Sequence, residues 1–134
     1  GCFLFLNLEI ELYLIFLFIF IIISYFLCEA HLKLYNKKDP KEVVVDEISG
    51  QFIAILGCVY SENLTYIFLS LLLSFILFRF FDITKIGPIK KFEKLPNGIG
   101  IMADDIVAGL FAFVTQAAIL TSLNQNIYIK TLWN

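Results

Sequence analysis

The stretch "LYLIFLFIFIIISYFLC", residues 12–28, decides the fold of this chain. It carries no charged side chain and, with the residues just before it, is long enough for a helix that crosses a bilayer of roughly 30 Å. The rest of the chain has the same character, since 60% of its 134 residues are hydrophobic and only 16% are charged. Soluble domains carry about 25% charged residues, so the composition predicts an integral-membrane protein.

A secretory signal peptide is the alternative for this first stretch. Such a peptide would place its positive charges before the apolar run and a small-residue cleavage site after it, whereas here the lysines follow the run. The length fits a single membrane domain, residues 1–134. Because the chain begins with Gly rather than Met, we expect a fragment or a trimmed product with a truncated N-terminus.

Four apolar stretches predict an all-α, integral-membrane bundle of about four helices, at residues 13–28, 48–60, 64–81 and 99–123. The second stretch is too short to cross a bilayer by itself. A start near Pro40, with Asp39 as the N-cap, would lengthen it to about twenty residues. It would then be a partly spanning helix packed inside the bundle.

Lysines are concentrated in two of the three connections between these stretches. The connections at residues 31–47 and 82–98 are basic, whereas the short "SEN" turn at residues 61–63 has no Lys or Arg. Basic connections tend to stay in the cytoplasm. We therefore expect both of them on the cytoplasmic side and the "SEN" turn on the opposite side.

Five acidic residues fall at the cytoplasmic level of this topology, near the ends of three helices: Asp46, Glu47, Asp82, Asp104 and Asp105. A carboxylate in apolar surroundings costs several kcal/mol unless a cation, a partner or water compensates it. Arg79 and Lys85 stand beside these acids in the sequence. Carboxylates gathered at one depth near helix ends, with basic residues beside them, can hold a divalent metal and a phosphate group.

The alternative for each single acid is a helix cap or a solvated helix end, because acids favour first turns. The arrangement favours a site instead. The pairs "DE" and "DD" each stand shortly before a glycine that permits close helix approach, Gly50 and Gly109. Adjacent helical residues diverge by about 100°, so one acid of each pair can face the bundle centre.

Other classes of function fit the residues poorly. The net charge of −2 is too near zero to indicate nucleic acid as a partner. The three cysteines, Cys2, Cys28 and Cys58, form no CxxC pair, and we interpret them as buried small hydrophobes. His31 is the only histidine, which argues against a zinc site and a histidine-based phosphatase.

Two further kinds of phosphatase nucleophile are also excluded. Leu64 rather than Arg stands six residues after Cys58, and Thr84 stands where a DxD motif beginning at Asp82 would need its second acid. The mechanism that remains is attack by water, assisted by a metal ion bound to carboxylate ligands.

Three blocks of this sequence, "DPKEVVVDEISG", "FRFFDITKIGPIKKFE" and "GIGIMADDIVAG", resemble the signature blocks of the phosphatidylglycerophosphatase A family in order and spacing. The resemblance covers roughly residues 27–114. It implies an all-helical, multi-pass enzyme of the bacterial inner membrane with its active site facing the cytoplasm. Such an enzyme uses Mg²⁺ to convert phosphatidylglycerophosphate to phosphatidylglycerol and phosphate in phospholipid biosynthesis. The implied partners are this substrate and membrane lipids, without nucleic acid, and the oligomeric state is left open.

By position, the resemblance implies a catalytic set made of all five acids, of which four would be metal ligands: Asp46, Glu47, Asp104 and Asp105. Arg79, Asp82 and Lys85 would form the phosphate-side block, in which Arg79 and Lys85 bind the substrate phosphate. The leaving group would take its proton from a carboxylic acid or from water, and Asp82 is a candidate for that acid. The chain departs from the family where it reads Lys85-Ile86 instead of Lys-Pro. It also lacks the Gly/Ser/Pro-rich segment that the family has ahead of the first helix.

Two functions of other classes stay open beside this one. A small ion or proton transporter would need acids along the whole membrane depth, whereas only Glu9 and Glu11 fall toward the far side. A non-catalytic membrane subunit would use its acids only to pair with lysines, and it would have no need of Mg²⁺.

Overall fold

The computed structural model describes residues 10–35, 44–58, 64–92, 95 and 97–123. These described residues form five helices and no strand, which confirms the predicted all-α class. The helices are α1 (Ile10–Tyr35), α2 (Val45–Ile55), α3 (Leu64–Thr84), α4 (Ile89–Phe92) and α5 (Asn97–Leu123).

Three of the helices, α1, α3 and α5, are long and apolar enough to cross a membrane. Their candidate spans are Ile10–Leu34, Leu64–Thr84 and Ile99–Ser122. Large apolar side chains cover the outer faces, with Phe18 67% exposed on α1 and Phe68 65% exposed on α3. A continuous apolar surface of this kind suits contact with lipid hydrocarbon rather than water.

The short helix α2 takes the place of the second predicted helix but is shorter than expected. Its 11 residues measure about 16 Å, roughly half of a bilayer. The backbone N–H groups of Leu56, Gly57 and Cys58 each donate to the carbonyl three residues earlier, and this tightened turn ends the helix. The sequence predicted that this helix would continue to residue 60, and that prediction is wrong for residues 56–58. Residues 59 and 60 lie outside the described residues. The predicted start near Pro40 lies outside the described residues.

Helices α2 and α5 approach each other closely at Gly50 and Gly109. A methyl group on Gly50 would lie 2.5 Å from the Asp105 carbonyl oxygen, and one on Gly109 would overlap the carbonyl of Gly50. Only hydrogen fits at these two positions, so the backbones can touch as they do at small-residue crossings of membrane helices. The close approach predicted from the two glycines is confirmed.

Buried polar side chains also join the helices within the apolar part of the bundle. Ser49 on α2 donates a hydrogen bond to the Ser24 hydroxyl on α1 at 3.1 Å. Gln116 on α5 is fully buried, and its Nε2 donates to the Ser70 carbonyl on α3 at 2.8 Å. Inside a membrane the hydrophobic effect does not favour contact with another helix over contact with lipid, so hydrogen bonds of this kind help to hold the helices together.

A tight turn reverses the chain after α3. Lys85 has φ +46° and Gly87 has φ +66°, so both adopt the left-handed conformation. The Lys85 N–H donates to the Phe81 carbonyl at 2.9 Å and closes the end of α3. Pro88 then opens α4, whose Ile89 is fully buried in the core. The turn brings Lys85 back toward α5.

Candidate active site

Three helices bring the five predicted acids to one end of the bundle. Asp46 and Glu47 occupy the first turn of α2, and Asp82 lies in the last turn of α3. Asp104 and Asp105 stand about two turns into α5, beside the crossing with α2. The crossing at Gly50 and Gly109 therefore sets how closely the two acidic pairs approach.

Arg79 connects α2 and α3 at this end. Its Nη1 lies 2.8 Å from Glu47 Oε2 and 3.1 Å from Asp82 Oδ2. The Arg79 and Glu47 side chains are 37% and 41% exposed, so solvent screens this pair and its contribution to stability is small. Its position at the rim leaves the guanidinium accessible to a ligand.

Lys85 makes the matching contact to α5. Its Nζ lies 2.8 Å from Asp104 Oδ2, and the Asp104 side chain is only 9% exposed. Removing the ammonium would leave a buried carboxylate without this compensation, which is more costly than losing an exposed pair. The left-handed turn after α3 is what aims the Lys85 side chain at α5.

The acids also contact one another. A hydrogen bond joins the side chains of Asp82 and Asp105, and the charges of Asp46 and Asp104 act on Asp105 as well. Asp46, Asp104 and Asp105 are all buried. Because burial removes water as a partner for these carboxyl groups, a cation at this end would offset their mutual repulsion.

Asp46 lies in the first turn of α2, outside the three candidate spans, and accepts a hydrogen bond from the Glu47 backbone N–H at 2.9 Å. The pKa of Asp46 is raised to about 6: burial is the largest cause, backbone hydrogen bonds oppose it, and the charges of Glu47 and Asp104 add to it. A nearby cation would act in the opposite direction to the burial and would favour the ionised form.

The donor chemistry of this cluster fits a hard divalent cation. Five carboxyl groups face two basic side chains, and this excess of negative charge is what a divalent cation with oxygen ligands neutralises. Within the described part of the chain, no group of three or more His, Cys, Asp or Glu side chains is close enough to hold a metal ion as it stands. Arg79 and Lys85 occupy carboxylate oxygens instead, and ligation would require these carboxylates to turn away from them.

Two neighbours of this site were not predicted from the sequence. Cys28 on α1 is fully buried and close enough to Asp46 and Asp105 for their charges to act on the thiol. Gln51 on α2 lies four residues after Glu47, so the two share a helix face. That spacing could have indicated Gln51, whereas nothing in the local sequence indicates that Cys28 faces the acids.

The comparisons with known proteins identify the family. The family model described as Phosphatidylglycerophosphatase A matches residues 1–120, most of the chain. The chain belongs to this family. The family that the three sequence blocks indicated is thereby confirmed, and no solved structure matches the chain.

Three curated relatives are similar to this member of the phosphatidylglycerophosphatase A family. Phosphatidylglycerophosphatase A of Haemophilus influenzae is 39% identical over 99 residues, which are 73% of this chain and 58% of that protein. Phosphatidylglycerophosphatase A of Escherichia coli is 31% identical over 67% of this chain and 50% of its own length. A putative phosphatidylinositol-3-phosphatase of Bacteroides thetaiotaomicron is 36% identical over 60% of this chain and 48% of its own length. The chain thus spans about half the length of the curated relatives it matches.

Proposed function

We propose that this chain is a membrane-embedded, Mg²⁺-dependent phosphomonoester hydrolase that converts phosphatidylglycerophosphate to phosphatidylglycerol and phosphate. The observation that carries the proposal is the network at the acidic end, where Arg79 binds Glu47 and Asp82 and Lys85 binds Asp104. Membership of the phosphatidylglycerophosphatase A family supports the substrate.

Asp46, Glu47, Asp104 and Asp105 would hold the Mg²⁺. Their carboxylate oxygens are the ligands that this hard cation prefers. When bound, Mg²⁺ supplies positive charge against the phosphate and increases the acidity of water. Glu47 and Asp104 would exchange their present basic partners for the cation, which frees Arg79 and Lys85 for the substrate.

Arg79 and Lys85 would bind the phosphate oxygens. A guanidinium offers paired N–H groups to an anion and an ammonium offers a compact point charge, so the two groups suit a phosphate held between α3 and α5. The oxygen of water forms the new bond to phosphorus as the bond from phosphorus to the glycerol oxygen breaks. Asp82 would give the proton that the leaving oxygen needs, and the proton that the attacking water loses would restore it.

The topology belongs to the same proposal. Residues 1–134 would form one domain of about four helices in the bacterial inner membrane, with α2 entering the bundle from the acidic end. Both basic connections, and with them the site, would face the cytoplasm. Phosphatidylglycerophosphate made on that side would then reach the acids without crossing the membrane.

The test is phosphate release by the purified chain in detergent micelles, with Mg²⁺ and with EDTA. We expect release from phosphatidylglycerophosphate only with Mg²⁺. A parallel assay with phosphatidylinositol 3-phosphate asks whether the chain instead acts on the lipid named in its Bacteroides relative. Absence of release from both lipids at any Mg²⁺ concentration would contradict the proposal and would favour a non-catalytic subunit.

A further inference from the structure

Helices α2 and α3 run antiparallel and are joined by polar side chains at two depths. At the acidic end Arg79 binds Glu47, and four residues further along α2 the Nε2 of Gln51 donates to Ser74 Oγ at 3.2 Å. Four helical residues rise by about 6 Å, so the second contact lies one turn further from the acidic end. A polar contact at that depth lies within the candidate span of α3.

Beside this contact, one face of α2 lies between α1 and α3. Helices α1 and α3 both pack against α2 and α5, but they share no substantial interface with each other in the described residues. On one side Phe52 packs against Phe20 of α1 with tilted rings whose centroids are 5.0 Å apart, and on the other Gln51 bonds to α3. Ile48 lies between these two contacts and is 39% exposed. We call this surface the α2 groove; its base is formed by Ile48, Gln51 and Phe52.

Gln51 has one hydrogen-bonding atom that the described residues do not satisfy. Its Oε1 is buried and accepts no hydrogen bond from any of them, while Nε2 is used by Ser74. If the oxygen and nitrogen of the amide were exchanged, one of the two atoms would still lack a hydrogen-bond partner, because Ser74 can bond to only one of them. A buried amide oxygen is costly to leave unpaired, so it indicates a missing donor.

We propose that the α2 groove binds the headgroup of the substrate lipid and that Gln51 Oε1 accepts a hydrogen bond from a hydroxyl of the alcohol that carries the phosphate. The inference rests on the proposed phosphatase function. The phosphate would lie at Arg79 and Lys85, and the acyl chains would lie in the bilayer. The alcohol joins these two parts of the lipid, so it would lie about one helical turn deeper in the membrane than the phosphate, at the depth of Gln51. Fully ionised phosphates and acyl esters only accept hydrogen bonds, so the hydroxyl is the donor that the lipid offers.

The inference defines a substrate class: phosphomonoester lipids whose alcohol keeps a free hydroxyl beside the phosphate. Gln51 is then a specificity residue. Its side chain is only partly buried, and when the lipid binds, the amide would turn from Ser74 toward the groove so that Oε1 meets the hydroxyl. Lipids without that hydroxyl would leave the amide oxygen unpaired and would bind less well.

The test measures binding and does not depend on hydrolysis. The purified full chain in detergent micelles is titrated with short-chain phosphatidylglycerol or with phosphatidyl-1,3-propanediol, which lacks only the secondary hydroxyl, and thermal unfolding reports the affinity. We expect about tenfold tighter binding of phosphatidylglycerol by the native chain, the effect of one hydrogen bond. Gln51→Met, which keeps the side-chain length, should reduce this preference to less than about twofold.

Gln116→Met is the matched control, because it removes another carboxamide whose oxygen is buried without a partner among the described residues, and whose Nε2 bonds to the Ser70 carbonyl on α3. We expect it to keep the full preference for phosphatidylglycerol even if it lowers thermal stability. Equal binding of both lipids by the native chain, or an unchanged preference in Gln51→Met, would overturn the inference. Loss of the preference in both variants would overturn it too. Failure of phosphate release with an intact binding preference would instead remove only the phosphatase function.

Discussion

Arg79 is the residue at which two helices converge on the acidic end. One nitrogen of its guanidinium contacts Glu47 of α2 and Asp82 of α3 together. Because both carboxylates are needed elsewhere in the proposed reaction, this residue would serve as a counter-ion before the substrate arrives and as a phosphate ligand afterwards. Both roles depend on several directed N–H groups in one plane.

Replacing Arg79 with Lys tests that dependence. The ammonium keeps the charge but cannot present the planar set of donors, so kcat/KM for phosphate release should fall by at least about tenfold. Thermal stability should change little, since the contact is partly exposed. Lys91→Arg on α4, an exposed conservative change, is the control and should leave kcat/KM unaltered. Full activity of Arg79→Lys would show that the guanidinium is not a phosphate ligand.

At the scale of elements, the turn after α3 adopts a conformation that suits glycine, yet it contains Lys85 at φ +46°. A side chain in the left-handed region costs roughly 1–2 kcal/mol. The Lys85 ammonium contacts Asp104. The contact of the side chain, and not the backbone conformation, therefore explains why lysine stands at this position. The Ile86 that replaces the family's usual proline does not prevent this turn.

Two variants of Lys85 separate these effects. Both Lys85→Gly and Lys85→Ala lose the ammonium, so both should lose phosphatase activity to the same extent. Lys85→Gly should unfold at a higher temperature than Lys85→Ala, by the equivalent of about 1 kcal/mol, because only glycine relieves the left-handed strain. Equal melting temperatures of the two variants would argue against this backbone conformation.

The crossing of α2 and α5 is the second element that a single change tests. Gly109→Ala places a methyl group against the Gly50 carbonyl and should destabilise the protein by about 1–3 kcal/mol in a thermal or denaturant titration. Leu110→Ala is the control, since Leu110 is 46% exposed toward lipid and should change stability by less than about 0.5 kcal/mol. A Gly109→Ala protein as stable as the native one would mean that the two helices do not touch here.

At the scale of the whole molecule, the orientation in the membrane follows from the basic connections. Single cysteines at Ser61 and Lys90, in a background without Cys2, Cys28 and Cys58, should differ in their reaction with an impermeant thiol reagent applied to intact cells. We expect labelling at position 61 and none at position 90 until the cells are opened. Equal labelling of both from outside would overturn the topology.

The parts of this structure that the sequence predicts are those set by local pattern. The apolar run at residues 12–28 indicates the membrane class, and the glycines after each acidic pair indicate the crossing of α2 and α5. The sequence does not predict the end of α2, because this end depends on contact with α5: a methyl group on Gly57 would lie 3.0 Å from the Phe113 carbonyl oxygen. The nearness of Cys28 to the acids depends on how α1 is rotated against α2, which no local pattern encodes.

The most direct measurement of the central claim is Mg²⁺-dependent phosphate release from phosphatidylglycerophosphate by Asp104→Asn and Asp105→Asn. Asparagine keeps the size and much of the hydrogen bonding but removes the charge that Mg²⁺ requires. Both variants should insert and fold, and their activity should fall by at least about a hundredfold. Glu29→Gln, which removes the carboxylate that pairs with the exposed Lys33 on α1, should keep native activity. Near-normal Mg²⁺-dependent release by both aspartate variants would contradict the metal site proposed for this pair.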